Sequence, residues 1–240
     1  MLRTLKGLAL TLTSIAGVTA AVAQPASAFE LRGINFDMGE ASFADEVVDF
    51  NKVYAGGISQ EEAYSKNWRA GAQYFDNADT VLGVANSGYK GHGVAIPDRD
   101  DFSLGKGGSV TVKFNDNFLV GSNDGAHDLW IFEAGGLVEG MLVDISKDGE
   151  NWLSVGELGG NQNGGIDIDA FGFSSKDRFS FVRVTDNGKN TYTQGWAGVD
   201  VDAIGAISSA PKDVPEPASL LGLLIFGGAL GSTLKNRKSS

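Results

Sequence analysis

Apolar and polar residues alternate with a period of two through most of the middle of the chain. Val110, Val112 and Phe114 are separated by Thr111 and Lys113, and Met141, Val143 and Ile145 by Leu142 and Asp144. Ile166 and Ile168 flank Asp167, and Val199 and Val201 flank Asp200, the latter run continuing to Ile207. A period of two puts every second side chain on one face of an extended chain, so each segment predicts a strand with one buried face. Leu129-Trp130-Ile131-Phe132 is uninterrupted and predicts a strand covered on both faces. Phe179–Val184 is rich in β-formers and stops at Asp186-Asn187-Gly188, while Asp148-Gly149 offers a hairpin turn before Trp152-Leu153-Ser154-Val155. With 34 Gly against 5 Pro to supply the turns, the pattern predicts an all-β fold, a β-sandwich or jelly roll over residues 76–207.

The flanking stretches are less periodic. Residues 29–75 read as an irregular N-terminal extension, in which Ser59, Glu61-Glu62 and Tyr64–Trp68 predict one short capped helix. Residues 208–214 are small and Pro-containing, as in a linker.

Both termini read as addresses. Arg3 and Lys6 precede an apolar run from Gly7 to Ala23, then Pro25 and Ala26-Ser27-Ala28. Small residues at Ala26 and Ala28 suit the narrow pockets of signal peptidase, so residues 1–28 are expected to be a signal peptide cut after Ala28. At the other end Pro215-Glu216-Pro217 leads into an apolar stretch that closes on Lys235-Asn236-Arg237-Lys238. The seventeen residues Ala218–Leu234 span about 25 Å as a helix at ~1.5 Å per residue, enough to cross a membrane if the flanking cations snorkel. That basic tip should stay cytoplasmic and leave the body outside.

The order of tripeptide, apolar helix and basic tip over residues 215–238 resembles the PEP-CTERM sorting signal of bacteria. The resemblance implies handling by an exosortase-type enzyme, transient membrane anchoring, and a destination at the cell surface or in an extracellular matrix, often linked to exopolysaccharide. An ordinary tail anchor would account for the helix and the cations but not for Pro215-Glu216-Pro217.

Composition narrows the chemistry. No cysteine is present, which removes disulfides, thiol catalysis and cysteine-ligated metals, and two histidines leave little for a histidine-based triad. The net charge is −11, and all 30 acids lie between the basic tips at the two termini. Such a body repels phosphate backbones, so nucleic acid is not an expected partner, and it attracts divalent cations.

Six blocks within residues 75–207 also resemble, in order, those of galactose-binding-like, discoidin-type jelly rolls. They are Val81-Leu82-Gly83 with Ser103–Phe114, Asp128–Glu133, Ser146–Trp152, Phe181–Asp186 and Val199–Ile204. The resemblance implies carbohydrate or matrix binding and a structural calcium. Calcium takes six to eight oxygen ligands, which carboxylates supply. Asp200 and Asp202 share one side of a regular strand, and Asp128 and Glu133 bracket another, so one Ca2+ is expected to use some of Asp128, Glu133, Asp200 and Asp202. Asp144-x-Ser146-x-Asp148-Gly149 approaches an EF-hand loop, but position twelve is Val155 where a bidentate Glu is needed, and it reads as a hairpin turn. Trp130 and Trp152 are expected in the core. Tyr192 and Trp196, within the polar stretch Asn190–Trp196, are the expected sugar contacts.

The reading is an exported, non-enzymatic surface or matrix protein whose sandwich associates with exopolysaccharide. Its alternatives are an adhesive protein that binds other proteins or itself, and a secreted carbohydrate-active enzyme using a carboxylate pair such as Asp167/Asp169 or Asp200/Asp202.

Overall fold

The alternating segments form strands in the computed structural model, which describes residues 28–54, 76–87, 101–134, 138–160, 164–189 and 198–212. In chain order these are β1 (Phe29–Leu31), β2 (Ile34–Phe36), β3 (Glu46–Asn51), β4 (Phe102–Ser103), β5 (Ser109–Lys113), β6 (Asn117–Leu119) and β7 (Leu129–Glu133). There follow β8 (Val138–Ser146), β9 (Trp152–Gly160), β10 (Gly165–Ile166), β11 (Phe181–Asp186), β12 (Asp200–Ala206) and β13 (Ser209–Pro211). Short 3-10 turns at Gly39–Ser42, Ala78–Val81 and Asp169–Phe171 complete the secondary structure of the described residues.

Two antiparallel sheets make a sandwich. One has the order β3-β5-β11-β8-β9 and the other β10-β7-β12-β4. Among the described residues the chain changes sheet at nearly every connection, and β8–β9 is the only hairpin that stays within one of the two sheets. Registry explains the core. Val184 lies opposite Val110 and Val143, and Val182 opposite Val112 and Ile145, so the apolar face of each strand coincides with its neighbours'. All six side chains are fully buried and join Phe102, Leu129, Ile131, Val201 and Ile204 of the second sheet in one core. Burying one such side chain contributes ~1.5–3 kcal/mol, so a one-residue slip that turned this row outward would cost the fold its main support.

The uninterrupted run in β7 is covered on both faces, as its sequence predicts. Leu129 and Ile131 face the main core. Trp130 and Phe132 meet a second apolar layer of Phe36, Phe43 and Ala203. That layer exists because the β1–β2 hairpin and the turn after it lie over the outer face of the four-stranded sheet. Residues 29–51 are therefore an integral part of the fold, and β3 forms an edge of the five-stranded sheet through its pairing with β5. Residues 209–211, read as linker, pair with β6 instead. The Ser59–Trp68 helix, Ala26, Pro215-Glu216-Pro217, the apolar span 218–234, Tyr192 and Trp196 all lie outside the described residues. Ala28 is exposed and immediately precedes β1.

The β8–β9 turn forms where Asp148-Gly149 predicts it. Gly149 has φ +80°, a conformation that favours glycine. Asp148 Oδ1 accepts the N–H groups of Glu150 and Asn151, and Ser146 Oγ accepts that of Gly149. The oxygens that an EF-hand would aim at calcium close their own turn. Trp152, expected in the core, is half-buried on the outer face with the Arg183 guanidinium 4.3 Å above its ring. Trp130 is also half-buried, because it belongs to the thinner second layer.

Candidate functional site

Sites gather at the two ends of the sandwich, where the connections lie. At the end that carries the β8–β9 turn, Asp128 enters β7 and the chain after β10 turns at Asp167–Phe171. One carboxylate oxygen from each of Asp128, Asp167 and Asp169 lies within 4.8 Å of the others. Asp128 is fully buried. Its Oδ1 accepts the Ser122 N–H at 2.7 Å and its Oδ2 the Ile168 N–H at 2.9 Å, which joins two loops and ends β10 early. Asp167 Oδ1 accepts from the amides of Asp169 and Ala170. Asp169 Oδ2 accepts from Ser122 Oγ at 3.2 Å, while its Oδ1 is buried and accepts no hydrogen bond from the described residues. Gly121 leaves the room for it, since a Cβ there would stand 2.1 Å from Asp169 Oδ1. Three carboxylates, one of them with an orphaned buried oxygen, and a hydroxyl make a donor set that fits a hard cation of the calcium type.

Asp128 and Asp167 each already accept two backbone amides, which engages both carboxylates in holding the loops.

The opposite end of the sandwich is built around Asp186, the last residue of β11 and 2% exposed. Its Oδ1 accepts the N–H groups of Gly107 and Gly188 at 2.9 and 2.8 Å, and its Oδ2 that of Val199 at 3.1 Å. One carboxylate thus fastens the approach to β5, the exit of β11 and the entry to β12. Gly188 and Val199 flank the stretch that contains Tyr192 and Trp196.

Glu133 ends β7 at this same end. Its Oε2 accepts the Glu139 N–H at 2.7 Å. Burial, with smaller contributions from the charges of Glu139 and Asp200, pushes its carboxyl up to about 9, so it is a neutral acid at pH 7.

The four acids expected around one calcium therefore occupy three places. Asp128 and Glu133 sit at opposite ends of β7, five residues and about 17 Å apart at ~3.3 Å per residue. Asp200 accompanies Glu133. Asp202 departs from Asp200 because the β12–β7 register shifts between Val201 and Ala203, and this irregularity breaks the alternation that would align them. Asp202 instead accepts the N–H groups of Asn86 and Ser87 and pairs with Arg32 at 3.2 Å. Its pKa is raised by burial, against the opposing pull of those amides and of Arg32. Sequence reasoning noticed Asp167 and Asp169 only as a carboxylate pair, and it did not join them to Asp128. The signal was present as the short Ile166-Asp167-Ile168-Asp169 run, which stops being a strand after Ile166.

No protein-family model matches the chain, and no curated protein does. Among solved structures, the chain is similar to the C-terminal domain of a chitobiase from Bacteroides fragilis, at 12% identity over 72% of this chain and 97% of that one, with a TM-score of 0.34. It is also similar to CpGH89CBM32-4 of Clostridium perfringens, solved in complex with GlcNAc-α-1,4-galactose, at 13% identity over 71% and 92% of the two chains, with a TM-score of 0.34. A third is CBM32-3 from a family 31 glycoside hydrolase of Clostridium perfringens, at 11% identity over 72% and 94%, with a TM-score of 0.33.

Proposed function

We propose that the protein is an exported, non-enzymatic module that associates with extracellular polysaccharide through the loops at its Asp186 end. The observation that supports this most is the Asp186 clasp. Three backbone amides from two connections, β4–β5 and both ends of β11–β12, converge on one buried carboxylate, which holds loop stems in place and leaves no proton-transfer role for that group. The same use of acids recurs in Asp128 and Asp202, each of which takes two backbone amides. A scaffold of this kind presents side chains, and Tyr192 and Trp196 lie between two of the clasped stems in sequence. An aromatic face complements the apolar face of a pyranose.

Calcium at Asp128, Asp167 and Asp169 would serve as a structural ion, neutralising three neighbouring carboxylates and tying the loop before β7 to the turn after β10. Export by signal peptidase after Ala28, and sorting by an exosortase-type enzyme at Pro215-Glu216-Pro217, complete the proposal. They rest on the chemistry of the two termini.

The test is retention of the mature protein on exopolysaccharide from the producing cells, backed by a glycan array. Trp196→Ala should lose most of the retention with an unchanged melting temperature. Equal retention by the variant removes the proposed contact, and an array without hits favours the adhesive alternative. That alternative has one observation behind it: edge strand β3 exposes Val48 and Phe50, at 48% and 51%.

A further inference from the structure

Lys52 follows β3, and its ammonium is buried. The side chain is 8% exposed and its Nζ touches Asp76 Oδ1, the Asp76 side chain being 11% exposed. Around the pair the walls are aromatic. Lys52 Nζ stands 5.4 Å from the centre of the fully buried Phe102 ring and 5.5 Å from that of Tyr54. Tyr54 Oη donates to the other Asp76 oxygen, Oδ2, at 3.2 Å. Two further carboxylates act on Lys52 through their charge, Asp200 and the fully buried Asp101. Asp200 is the neighbour of Glu133; Lys52, Tyr54, Asp76, Asp101 and Phe102 belong to neither site described above.

The backbone holds this arrangement from both sides. Val53 N–H donates to Leu104 O at 2.9 Å, and Val53 bridges to Gly105, where a Cβ would collide with Val53 O. Asn77 caps the Ala78–Val81 turn through the Asp79 N–H, which fixes the chain next to Asp76.

We propose that Lys52 and Asp76 condense to form an intramolecular isopeptide bond, a covalent staple between the end of β3 and the turn before β4. The chemistry balances without a co-reactant. In an apolar pocket an ion pair and its neutral form, amine plus carboxylic acid, approach each other in energy, because the charged pair is poorly solvated. The neutral Nζ attacks Asp76 Cγ. Tyr54 O–H steadies the charge that develops on Oδ2, as a donor aimed at a tetrahedral oxyanion does. Oδ1 leaves as water after taking a proton from the nitrogen. One C–N bond forms, one C–O bond breaks, and one water is released. Burial lowers the Lys52 pKa, its largest influence, which favours the nucleophilic amine. Burial and Asp76 raise that of Tyr54, which keeps the phenol a donor.

The staple would do for this cysteine-free chain what a disulfide does elsewhere, by fastening both ends of the segment between residues 52 and 76 and lowering the entropy of the unfolded state.

The test is tryptic mass mapping of the full, folded protein. The bond predicts that cleavage after Lys52 fails and that the peptide Gly33–Lys66 is recovered joined to Ala70–Lys90, one water lighter than their sum. Lys52→Arg should abolish the joined species. Recovery of free Gly33–Lys52 and free Ala70–Lys90 from wild-type protein that shows a cooperative melt overturns the proposal, and no variant has to fold for that result.

Discussion

Replacing Asp186 by alanine strips one acceptor from three backbone donors at once, and the structure says how unequal the losses are. The Val199 amide is buried, so its N–H loses its partner without gaining water, at a cost of ~1–3 kcal/mol. Gly107 and Gly188 are exposed, so water replaces the carboxylate there, and each loss is about 0.5–1 kcal/mol. Together the variant should lose about 2–5 kcal/mol, a large part of the ~5–15 kcal/mol that holds an ordinary domain. Asp186→Asn is the finer probe. Its remaining oxygen can keep Gly107 and Gly188, while its amide nitrogen faces the Val199 N–H, so it should lose ~1–3 kcal/mol, almost all at Val199. Urea unfolding of the mature chain measures both, and amide exchange at Val199 should accelerate in step with the asparagine variant. A loss below ~0.5 kcal/mol in Asp186→Ala, the scale of an ordinary surface change, would refute the clasp and the proposal built on it.

Two further predictions concern the other polar groups. Calcium should raise the melting temperature relative to chelator, and Asp169→Asn, which removes the charge beside the orphaned oxygen, should abolish that difference; an equal calcium response in the variant places the ion elsewhere. Arg32→Ala should destabilise by about 1–3 kcal/mol, less than the ~3–5 kcal/mol of a fully buried pair, because the Arg32 side chain is 37% exposed. The deficit should shrink as pH falls through the raised pKa of Asp202, since a protonated Asp202 no longer needs the cation; a deficit constant with pH would separate the two residues.

How much of this was legible beforehand depends on whether a segment decides its own structure. Val110-x-Val112 and Met141-x-Val143-x-Ile145 do, because an alternation held over several residues has one face to bury, and their strands and turns follow the pattern. Glu46-Val47-Val48-Asp49-Phe50-Asn51 does not alternate, and its register on β5 shifts between Val47 and Asp49. Only the neighbouring strand makes it a strand, and so residues 29–51 read as irregular. The expected calcium ligands failed for a related reason. Strand periodicity placed Asp200 and Asp202 together, and the irregularity after Val201 sent Asp202 to Arg32. Asp186 was visible only as part of a strand-ending Asp-Asn-Gly, because nothing in a local pattern reveals that amides 13 and 79 residues away return to it.

The acid excess has opposite consequences at the two extremes of pH, and Glu133 lets them be separated. Asp148, Glu157 and Asp177 have lowered pKa values, first through hydrogen bonds to Asn151, Lys189 and Lys147 respectively. They bind protons less readily folded than unfolded, so the stability they add is present above the unfolded carboxylate pKa and is lost as pH falls through their folded values. Glu133 works the other way. Its folded pKa of about 9 lies above the unfolded ~4.3, so the folded state holds a proton that the unfolded state has released, and stability drains away as pH rises between those values. The slope it sets is at most ~1.4 kcal/mol per pH unit. The protein should therefore be most stable well on the acid side of neutrality, at roughly pH 4–5, where the two windows meet. Glu133→Gln keeps the acceptor for the Glu139 N–H and removes the titration. It should match wild type at pH 4, exceed it at pH 8, and move the optimum upward. Melting curves across that range decide the matter: a variant that parallels wild type at every pH would show that Glu133 is ionised in the folded protein, and with it that a cation or solvent reaches the end of β7.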